Sequence, residues 1–327
     1  EMQRSLVGSE MCIRDRYITV LEGIREEAGD DVRILYSQGC DLYKDKVENL
    51  AWDQDRISEA VITAENSDVV ILCVGLDETL EGEEGDTGNS DASGDKVDLH
   101  LPKVQEELIE KVTAVGKPTI VVLMAGSAID LNYAQDNCNG ILLAWYPGAR
   151  GGRAIADLLF GKESPSGKLP VTFYKDLEGM PEFTDYSMKN RTYRYMEKEA
   201  LYPFGYGLTY SDTCVTEAEV VSEVSAESDI MLKATVKNNG TVDTDEVVQV
   251  YIKDLDSPLA VRNYSLCGFK RVSLKAGEEK SVEFTISNKA MNIVDEDGNR
   301  YIAGKHFRLF AGVSQPDTRS AELTGHK

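Results

Sequence analysis

Nine acidic residues and a single lysine fill the stretch 75–99, GLDETLEGEEGDTGNSDASGDKVDL. Carboxylates that lie this close in sequence are suited to proton transfer, because each negative charge raises the pKa of its neighbours. The same composition is typical of a solvated surface loop, which is the commoner case. The elements around this stretch, named the acidic segment below, help to decide between the two.

The acidic segment directly follows an apolar run, Val69–Val74, which is typical of a buried parallel strand. Open α/β sheets bind their ligands at the carboxyl ends of their strands. Because the acidic segment leaves such an end, the sequence predicts that it borders a ligand site.

Helical and strand patterns alternate on both sides of this run. Helical spacing of apolar residues predicts helices over Val20–Ala28, Asp55–Asn66, Pro102–Gly116, Ile129–Ala134 and Arg153–Phe160. Runs rich in β-formers predict strands over Val32–Tyr36, Val69–Val74, Pro118–Met124 and Gly140–Trp145. This alternation indicates an α/β domain over residues 17–176, in which helices cover both faces of a mainly parallel sheet.

A different pattern fills the rest of the chain. Aromatic residues without periodicity over 177–212 predict an ordered crossing linker. Short alternating runs separated by Gly and Asn turns predict strands over Met231–Lys237, Glu246–Lys253, Leu266–Leu274, Lys280–Ile286 and Phe307–Val313. They indicate an antiparallel β-sandwich over 213–327, and the fold class is therefore α/β plus all-β. Residues 1–16 show neither pattern, and we treat them as an extraneous, unstructured N-terminus.

The charge balance excludes several classes of partner. The chain has 327 residues and a formal net charge of −22, so phosphates of nucleic acids and anionic membranes would be repelled. No apolar run is long enough to span a bilayer. No signal peptide is visible, and we predict a cytoplasmic, bacterial-type protein whose true N-terminus is missing from this sequence.

Cysteine and histidine are too scattered to suggest metal chemistry. The six cysteines and three histidines show neither C-x-x-C nor metal-ligand spacing. We interpret the cysteines as reduced structural thiols. The pattern argues against a transition-metal or Ser-His-Asp enzyme and predicts neither a metal ion nor a cofactor.

Several long motifs resemble the C-terminal half of glycoside hydrolase family 3, in the branch of β-xylosidases and β-glucosidases. They are AENSDVVILCVGLDETLEGEEGD at 64–86, ILLAWYPGARGGRAIADLLFGKESPSGKLPVTF at 141–173 and YPFGYGLTYS at 202–211, with EVVQVYIKDLDSP and LCGFKRVSLKAGEEKSVEF in the second half. The resemblance covers residues 17–317. It implies an α/β sandwich followed by a fibronectin-III-like (immunoglobulin-like) β-sandwich, the last two domains of a family that begins with a (β/α)₈ barrel.

The resemblance implies a retaining, exo-acting β-glycosidase that hydrolyses terminal β-linked sugars. One carboxylate of such an enzyme attacks the anomeric carbon, while the other protonates the departing oxygen and later activates water. In this family the nucleophile is an Asp of the barrel and the acid/base is a Glu of the sandwich loop. The family's spacing of that glutamate and an aspartate falls on Glu83 and Asp86.

Glu83 is therefore the candidate for the general acid/base, and Asp86 a candidate for substrate binding. Glu81 and Glu84 are rivals to Glu83, because an alignment across a glycine-rich loop can slip by one or two residues. Thr87 stands where the family often has arginine, which leaves the register open.

The family's barrel has no counterpart in this sequence. We find no eightfold strand–helix repeat and no Asp in the context of the family's nucleophile. The chain is thus expected to be an incomplete glycoside hydrolase, inactive alone, whose partner is the missing N-terminal barrel. Association into a homo-oligomer is left open.

Three residues near the third predicted strand are candidates for contacts with a substrate, expected to be an oligosaccharide or an aryl or alkyl β-glycoside. Trp145 ends that strand and Tyr146 follows it. Aromatic rings stack on sugar faces, although Trp145 fits core packing as well. Arg150 follows in the same loop. The motifs TyrArgTyr at 193–195 and TyrProPheGly at 202–205 favour the xylosidase branch.

A second hypothesis is a non-catalytic carbohydrate-binding or scaffolding module. In that case oxygen ligands of the acidic segment would bind Ca²⁺, although the segment lacks the regular spacing of an EF-hand. The sequence leaves both hypotheses open.

Overall fold

The computed structural model describes residues 17–43, 55–82 and 96–326. The chain divides into two compact units, the first ending at Lys162 and the second beginning at Glu163.

A three-stranded parallel sheet forms the centre of the first unit. Its strands are β1 (Val70–Gly75), β2 (Thr119–Met124) and β3 (Gly140–Leu143), in the order β1-β2-β3. The central strand β2 is the most buried, because it has a neighbour on each side and apolar residues on both faces. The mainly parallel sheet of the prediction is confirmed.

In the described part of the first unit, five helices accompany this sheet: α1 (Val20–Ala28), α2 (Asp55–Glu65), α3 (Lys103–Thr113), α4 (Asn132–Asn137) and α5 (Gly151–Leu159). On one face, Val20 of α1 and Ile155 of α5 pack on Val122 and Met124 of β2. The backbones of α1 and α5 approach so closely that a Cβ on Gly23 would lie 2.2 Å from a carbonyl oxygen of α5.

The opposite face of the sheet is covered as well. Leu72 and Val74 alternate with the side chains that face α1 and α5, and α3 packs beside β1. Buried residues of α3, namely Leu108, Ile109 and Val112, recur at helical spacing. Helices on both faces of a parallel sheet make this unit an α/β fold, as predicted.

Two predicted elements of the first unit differ from the structure, one in kind and one in its bounds. Val32–Tyr36 forms no strand, and its ends are open to solvent, with Val32 48% and Tyr36 57% exposed. Among the residues that the structure describes, this run has no neighbouring strand with which it could pair. The predicted turn of helix at Ile129–Ala134 begins later, at Asn132, after an Asx-type turn in which the Asp130 carboxylate accepts the amide of Asn132 at 2.8 Å.

The second unit begins with a long irregular stretch that contains one short helix, α6 (Thr192–Tyr195). Eight strands and a terminal helix follow: β4 (Thr213–Val220), β5 (Ile230–Asn238), β6 (Thr244–Asp254), β7 (Ser265–Leu274), β8 (Glu279–Ile286), β9 (Ile293–Val294), β10 (Arg300–Tyr301), β11 (Phe307–Gly312) and α7 (Thr318–Thr324). The main strands form two antiparallel sheets, β4-β5-β8 and β11-β6-β7. The predicted β-sandwich is confirmed.

Alternating burial explains why these strands were recognised. Along β5 every second residue is buried, and these residues meet the buried face of β6 and β8 in one core. Strand β4 and helix α7 were missed. Most of β4 is exposed, and its sequence TCVTEAEV has little apolar character to signal a strand.

A buried ion pair ties the irregular stretch to the sandwich within the second unit. The ammonium of Lys168 lies 2.7 Å from the carboxylate of Glu246 on β6 and also donates to the carbonyl of Gly207 at 2.6 Å. The hydroxyl of Thr213 and the amide of Val247 each donate to the same carboxylate at 2.6 Å. Burial of this charge is tolerated because its oxygens are paired.

The carboxyl end of β1 needs a glycine. Gly75 has φ +153°, and a Cβ there would lie 1.8 Å from the carbonyl oxygen of Met124 on β2. We expect Gly75→Ala to lower the free energy of unfolding by more than about 3 kcal/mol, because backbone atoms must move apart. Urea unfolding of the purified chain, followed by circular dichroism, measures this change.

Gly116→Ala is the matched control. Gly116 has φ +77° but open space around its Cα, so the cost is limited to about 1 kcal/mol of backbone strain. Equal losses for the two variants would show that the close approach at Gly75 does not matter.

Candidate active site

A buried glutamine fixes the end of β1. The side-chain oxygen of Gln105 on α3 accepts the amide of Gly75 at 2.8 Å, and its NH₂ group donates to the Gly75 carbonyl at 2.7 Å. The same NH₂ group donates to the carbonyl of Leu42 at 2.7 Å. The N–H and the C=O of Gly75, the last residue of β1, are therefore both hydrogen-bonded at the point where the chain enters the acidic segment.

The first residues of the acidic segment form a tight turn. The Asp77 carboxylate accepts both the amide and the hydroxyl of Thr79, at 2.9 and 2.6 Å. The Asp77 carbonyl accepts the amides of Leu80 and Glu81, at 3.0 and 2.9 Å. This Asx-type turn directs Glu81 back toward the edge of the sheet that β1 has just left.

The Glu81 carboxylate accepts hydrogen bonds from residues that follow the other two strands. The amide of Gly126, just after β2, donates to one oxygen at 2.8 Å. The hydroxyl of Ser127 donates to the other oxygen, and the hydroxyl of Tyr146, just after β3, donates to the first. All three strand ends of the sheet therefore meet at one carboxylate.

The chain after β3 bends sharply to bring Tyr146 to this point. Trp145 has φ +51°, a left-handed conformation that is uncommon outside glycine. Burial, together with the hydrogen bond to Glu81 and the charges of Glu81 and Asp77, raises the pKa of the Tyr146 phenol. Tyr146 thus stays protonated and acts as a hydrogen-bond donor at neutral pH.

Gly126 leaves room for this arrangement. A Cβ at this position would lie 2.7 Å from the Tyr146 ring and 3.3 Å from the Glu81 carboxylate. A side chain there would push both groups away, so the position requires glycine for space rather than for backbone conformation.

Lys96, in the last part of the acidic segment, approaches the same turn after β2. Its ammonium donates to the carbonyl of Ala128 at 2.7 Å. Burial lowers the pKa of Lys96, whereas the negative charges of Glu81 and Asp98 oppose that effect. A positive charge therefore lies close to the Glu81 carboxylate.

The structure describes some of the predicted site residues and not others. Glu81, Trp145 and Tyr146 lie together at the carboxyl edge of the sheet, where the sequence predicted a site. Arg150 is exposed and directly precedes α5. Glu83, Glu84 and Asp86 lie outside the described residues, so the assignment of the acid/base stays a prediction, as do the substrate contacts of Asp86, Trp145, Tyr146 and Arg150.

The sequence analysis missed the partners of Glu81 after β2. Gly126 and Ser127 follow a strand that was predicted, at the same sheet edge as the acidic segment. Their position at a strand end was the available signal, but neither residue type suggests chemistry by itself. Lys96 is the single basic residue of the acidic segment, and nothing in the sequence indicated its function.

In the described part of the chain, metal-ligating side chains form no cluster, and Cys73 and Cys267 have raised pKa values. No three His, Cys, Asp or Glu residues within 17–43, 55–82 and 96–326 form a cluster that could hold a metal ion. Burial raises the pKa of Cys73 and that of Cys267 to about 12, so neither thiol ionises near neutral pH. No helix among these residues is long and apolar enough to cross a membrane.

Comparison with known protein families now decides the identity of this fold. The model of the glycosyl hydrolase family 3 C-terminal domain matches residues 6–210, and that of the fibronectin type III-like domain matches residues 246–315. The chain belongs to glycosyl hydrolase family 3. The recognition of this family from sequence motifs is confirmed, as are the two kinds of domain.

Relatives of this family 3 chain include β-xylosidases and β-glucosidases. It is 33% identical over 327 residues to a β-xylosidase of Formosa agariphila, covering 98% of this chain and 43% of that protein. It is 39% identical over 270 residues to a xylan 1,4-beta-xylosidase of Xylanibacter ruminicola, covering 81% of this chain and 31% of that protein. The structure of a β-glucosidase from Erythrobacter marinus superposes with a TM-score of 0.78 at 32% identity, covering 92% of this chain and 42% of the other.

The family 3 chain therefore spans less than half the length of these three relatives.

His100, near the end of the acidic segment, offers a measurable pH response. Its hydrogen bond to Glu106, at 2.9 Å, raises the pKa of the imidazole, aided by the charges of Glu106, Asp98 and Asp130 and opposed by desolvation. The stabilisation by protonated His100 is thus complete below its unfolded pKa of about 6.5 and is lost as pH rises through the folded pKa.

We expect NMR titration of the His100 ring to give a midpoint above 6.5, and Glu106→Gln to lower it. Glu110→Gln, an exposed change on the same helix, should leave it in place. A midpoint that is indifferent to Glu106→Gln would contradict this assignment.

Proposed function

We propose that this chain is the acid/base-bearing C-terminal part of a retaining, exo-acting β-glycosidase, a β-xylosidase or β-glucosidase. The observation that carries the proposal is the position of Glu81. Its carboxylate lies at the carboxyl edge of the parallel sheet, hydrogen-bonded by residues after β2 and β3, and Glu83 follows two residues later. This edge is where open α/β sheets bind ligands.

The proposed reaction needs a second carboxylate, which we propose comes from a barrel domain outside residues 1–327. That nucleophile attacks the anomeric carbon while Glu83 gives its proton to the glycosidic oxygen, so that the bond to the leaving group breaks. Glu83, now a carboxylate, takes a proton from water, and the water oxygen displaces the nucleophile from the sugar. The chain alone holds one of the two carboxylates and is inactive.

The described surroundings support an acid role for a nearby carboxyl group. The carboxylates of Asp77 and Glu81 belong to the same segment, and negative charge raises the pKa of a neighbouring acid. The single ammonium group of Lys96 offsets only part of this charge.

The proposed substrate class is based on the relatives and on the aromatic residues that follow β3. Relatives carry the names β-xylosidase and β-glucosidase, so a terminal β-linked xylose or glucose is the proposed unit. Trp145 lies beside Tyr146 at the proposed site, and its indole is the aromatic surface on which a sugar ring could stack. Asp86 and Arg150 are the proposed polar contacts.

A fusion with a barrel tests the proposal. Residues 17–327 would replace the matching part of the Formosa agariphila β-xylosidase, and release of p-nitrophenol from aryl β-xyloside and β-glucoside would be followed. We expect activity in the fusion and none in the isolated chain, because hydrolysis requires both carboxylates. Glu83→Gln should lower kcat at least about 100-fold, in line with the loss of general acid catalysis.

Asp95→Asn, another change within the acidic segment, is the matched control and should keep the activity of the fusion. Turnover by the isolated chain, or a fully active Glu83→Gln fusion, would contradict the proposal. Stabilisation of the isolated chain by Ca²⁺ in thermal unfolding, with no activity in the fusion, would instead favour the calcium-binding module.

A further inference from the structure

We propose that Glu81 and Lys96 are positioning residues that fasten the two ends of segment 83–95 to the turn Gly126–Ala128. Together with this turn they are named the double anchor. The inference rests on the proposed function, because the segment between the anchors carries the acid/base candidate Glu83. In the sequence analysis Glu81 was an alternative to Glu83 as the proton donor. As an anchor, Glu81 has a different role.

The carboxylate of Glu81 accepts hydrogen bonds from three groups of the protein. An ionised carboxylate offers about four lone-pair sites, and donors from Gly126, Ser127 and Tyr146 take three of them. A proton donor must instead direct an oxygen at the glycosidic oxygen of the substrate. Glu81 therefore suits fixation of the chain rather than proton transfer.

Lys96 supplies the second attachment. Its ammonium binds the carbonyl of Ala128, next in sequence to the two residues of the same turn that bind Glu81. The side chain of Lys96 is partly buried, which disfavours its charge, and the negative charges of Glu81 and Asp98 offset part of this effect. The two ends of the segment are thus held at one short turn, although Glu81 and Lys96 lie fifteen positions apart in the sequence.

Fixing both ends matters for catalysis because a proton donor must be placed within a few tenths of an ångström. Displacement of a catalytic group by about 1 Å can cost 100-fold in rate. Loss of either anchor should therefore lower kcat more than it changes KM.

The test uses the barrel fusion described above. Glu81→Gln and Lys96→Met should each lower kcat about 10- to 100-fold, with KM changed less than about threefold. Ser127→Ala and Tyr146→Phe each remove one donor and should lower kcat by a smaller factor. Glu110→Gln and Lys103→Met, exposed changes on α3, are matched controls and should leave kcat unaltered.

The pH profile separates positioning from proton transfer. Glu81→Gln keeps the acid/base, so the alkaline limb of kcat/KM should stay in place. Glu83→Gln should lose that limb and gain activity with azide. Azide forms a C–N bond to the anomeric carbon of the glycosyl-enzyme while the nucleophile carboxylate leaves with the electron pair, so this step needs no base.

Hydrogen exchange in the full chain tests the anchor without any activity. NMR should show that the Gly126 amide exchanges at least about tenfold faster in Glu81→Gln, because the glutamine side chain offers three donors a single uncharged acceptor oxygen in place of two charged ones, whereas Glu83→Gln should leave its rate unchanged.

Loss of the alkaline limb and rescue by azide in Glu81→Gln would identify Glu81 as the acid/base and overturn the double anchor. Unchanged kcat in both Glu81→Gln and Lys96→Met would overturn it as well. An inactive fusion with faster Gly126 exchange in Glu81→Gln would defeat the glycosidase proposal while supporting the attachment of Glu81.

Discussion

A carboxylate at the end of a sheet needs hydrogen-bond donors, and in this chain the parallel arrangement supplies them. Parallel strands bring their carboxyl ends to one edge, so the loops after β1, β2 and β3 all reach Glu81. An antiparallel sheet of the same three strands would send one of these loops to the other edge. The topology thus determines which groups surround the carboxylate. The buried side-chain amide of Gln105 fixes the end of β1, from which the chain leads to Glu81.

The site separates two tasks that similar side chains could each perform. Carboxylates that accept hydrogen bonds from the protein, as those of Glu81 and Asp77 do, are proposed to hold the chain in place. In the proposed function a further carboxyl group of the acidic segment performs the proton transfer. Composition alone would assign these acidic residues to a solvated loop. In the proposed function, some of them stabilise the structure and one transfers a proton.

Local patterns predicted most of the fold, whereas long-range contacts determined the site. The bounds of α1 coincide with the prediction, since Thr19 caps its first turn and the apolar spacing is regular. The run Val32–Tyr36 shows the limit of this approach, because propensity does not reveal whether a partner strand exists. The contacts of Glu81 span 45 to 65 residues of sequence, and no local pattern encodes them.

The ion pair of Lys168 and Glu246 limits where the chain can be cut for biochemical work. The two charged side chains are 8% and 2% exposed, and Lys168 precedes the first strand of the sandwich by more than forty residues. Excision of the sandwich at β4 would leave Glu246 as an uncompensated charge in the interior, at a cost of about 3–5 kcal/mol. A stable recombinant sandwich therefore has to include the aromatic stretch from Glu163 onward.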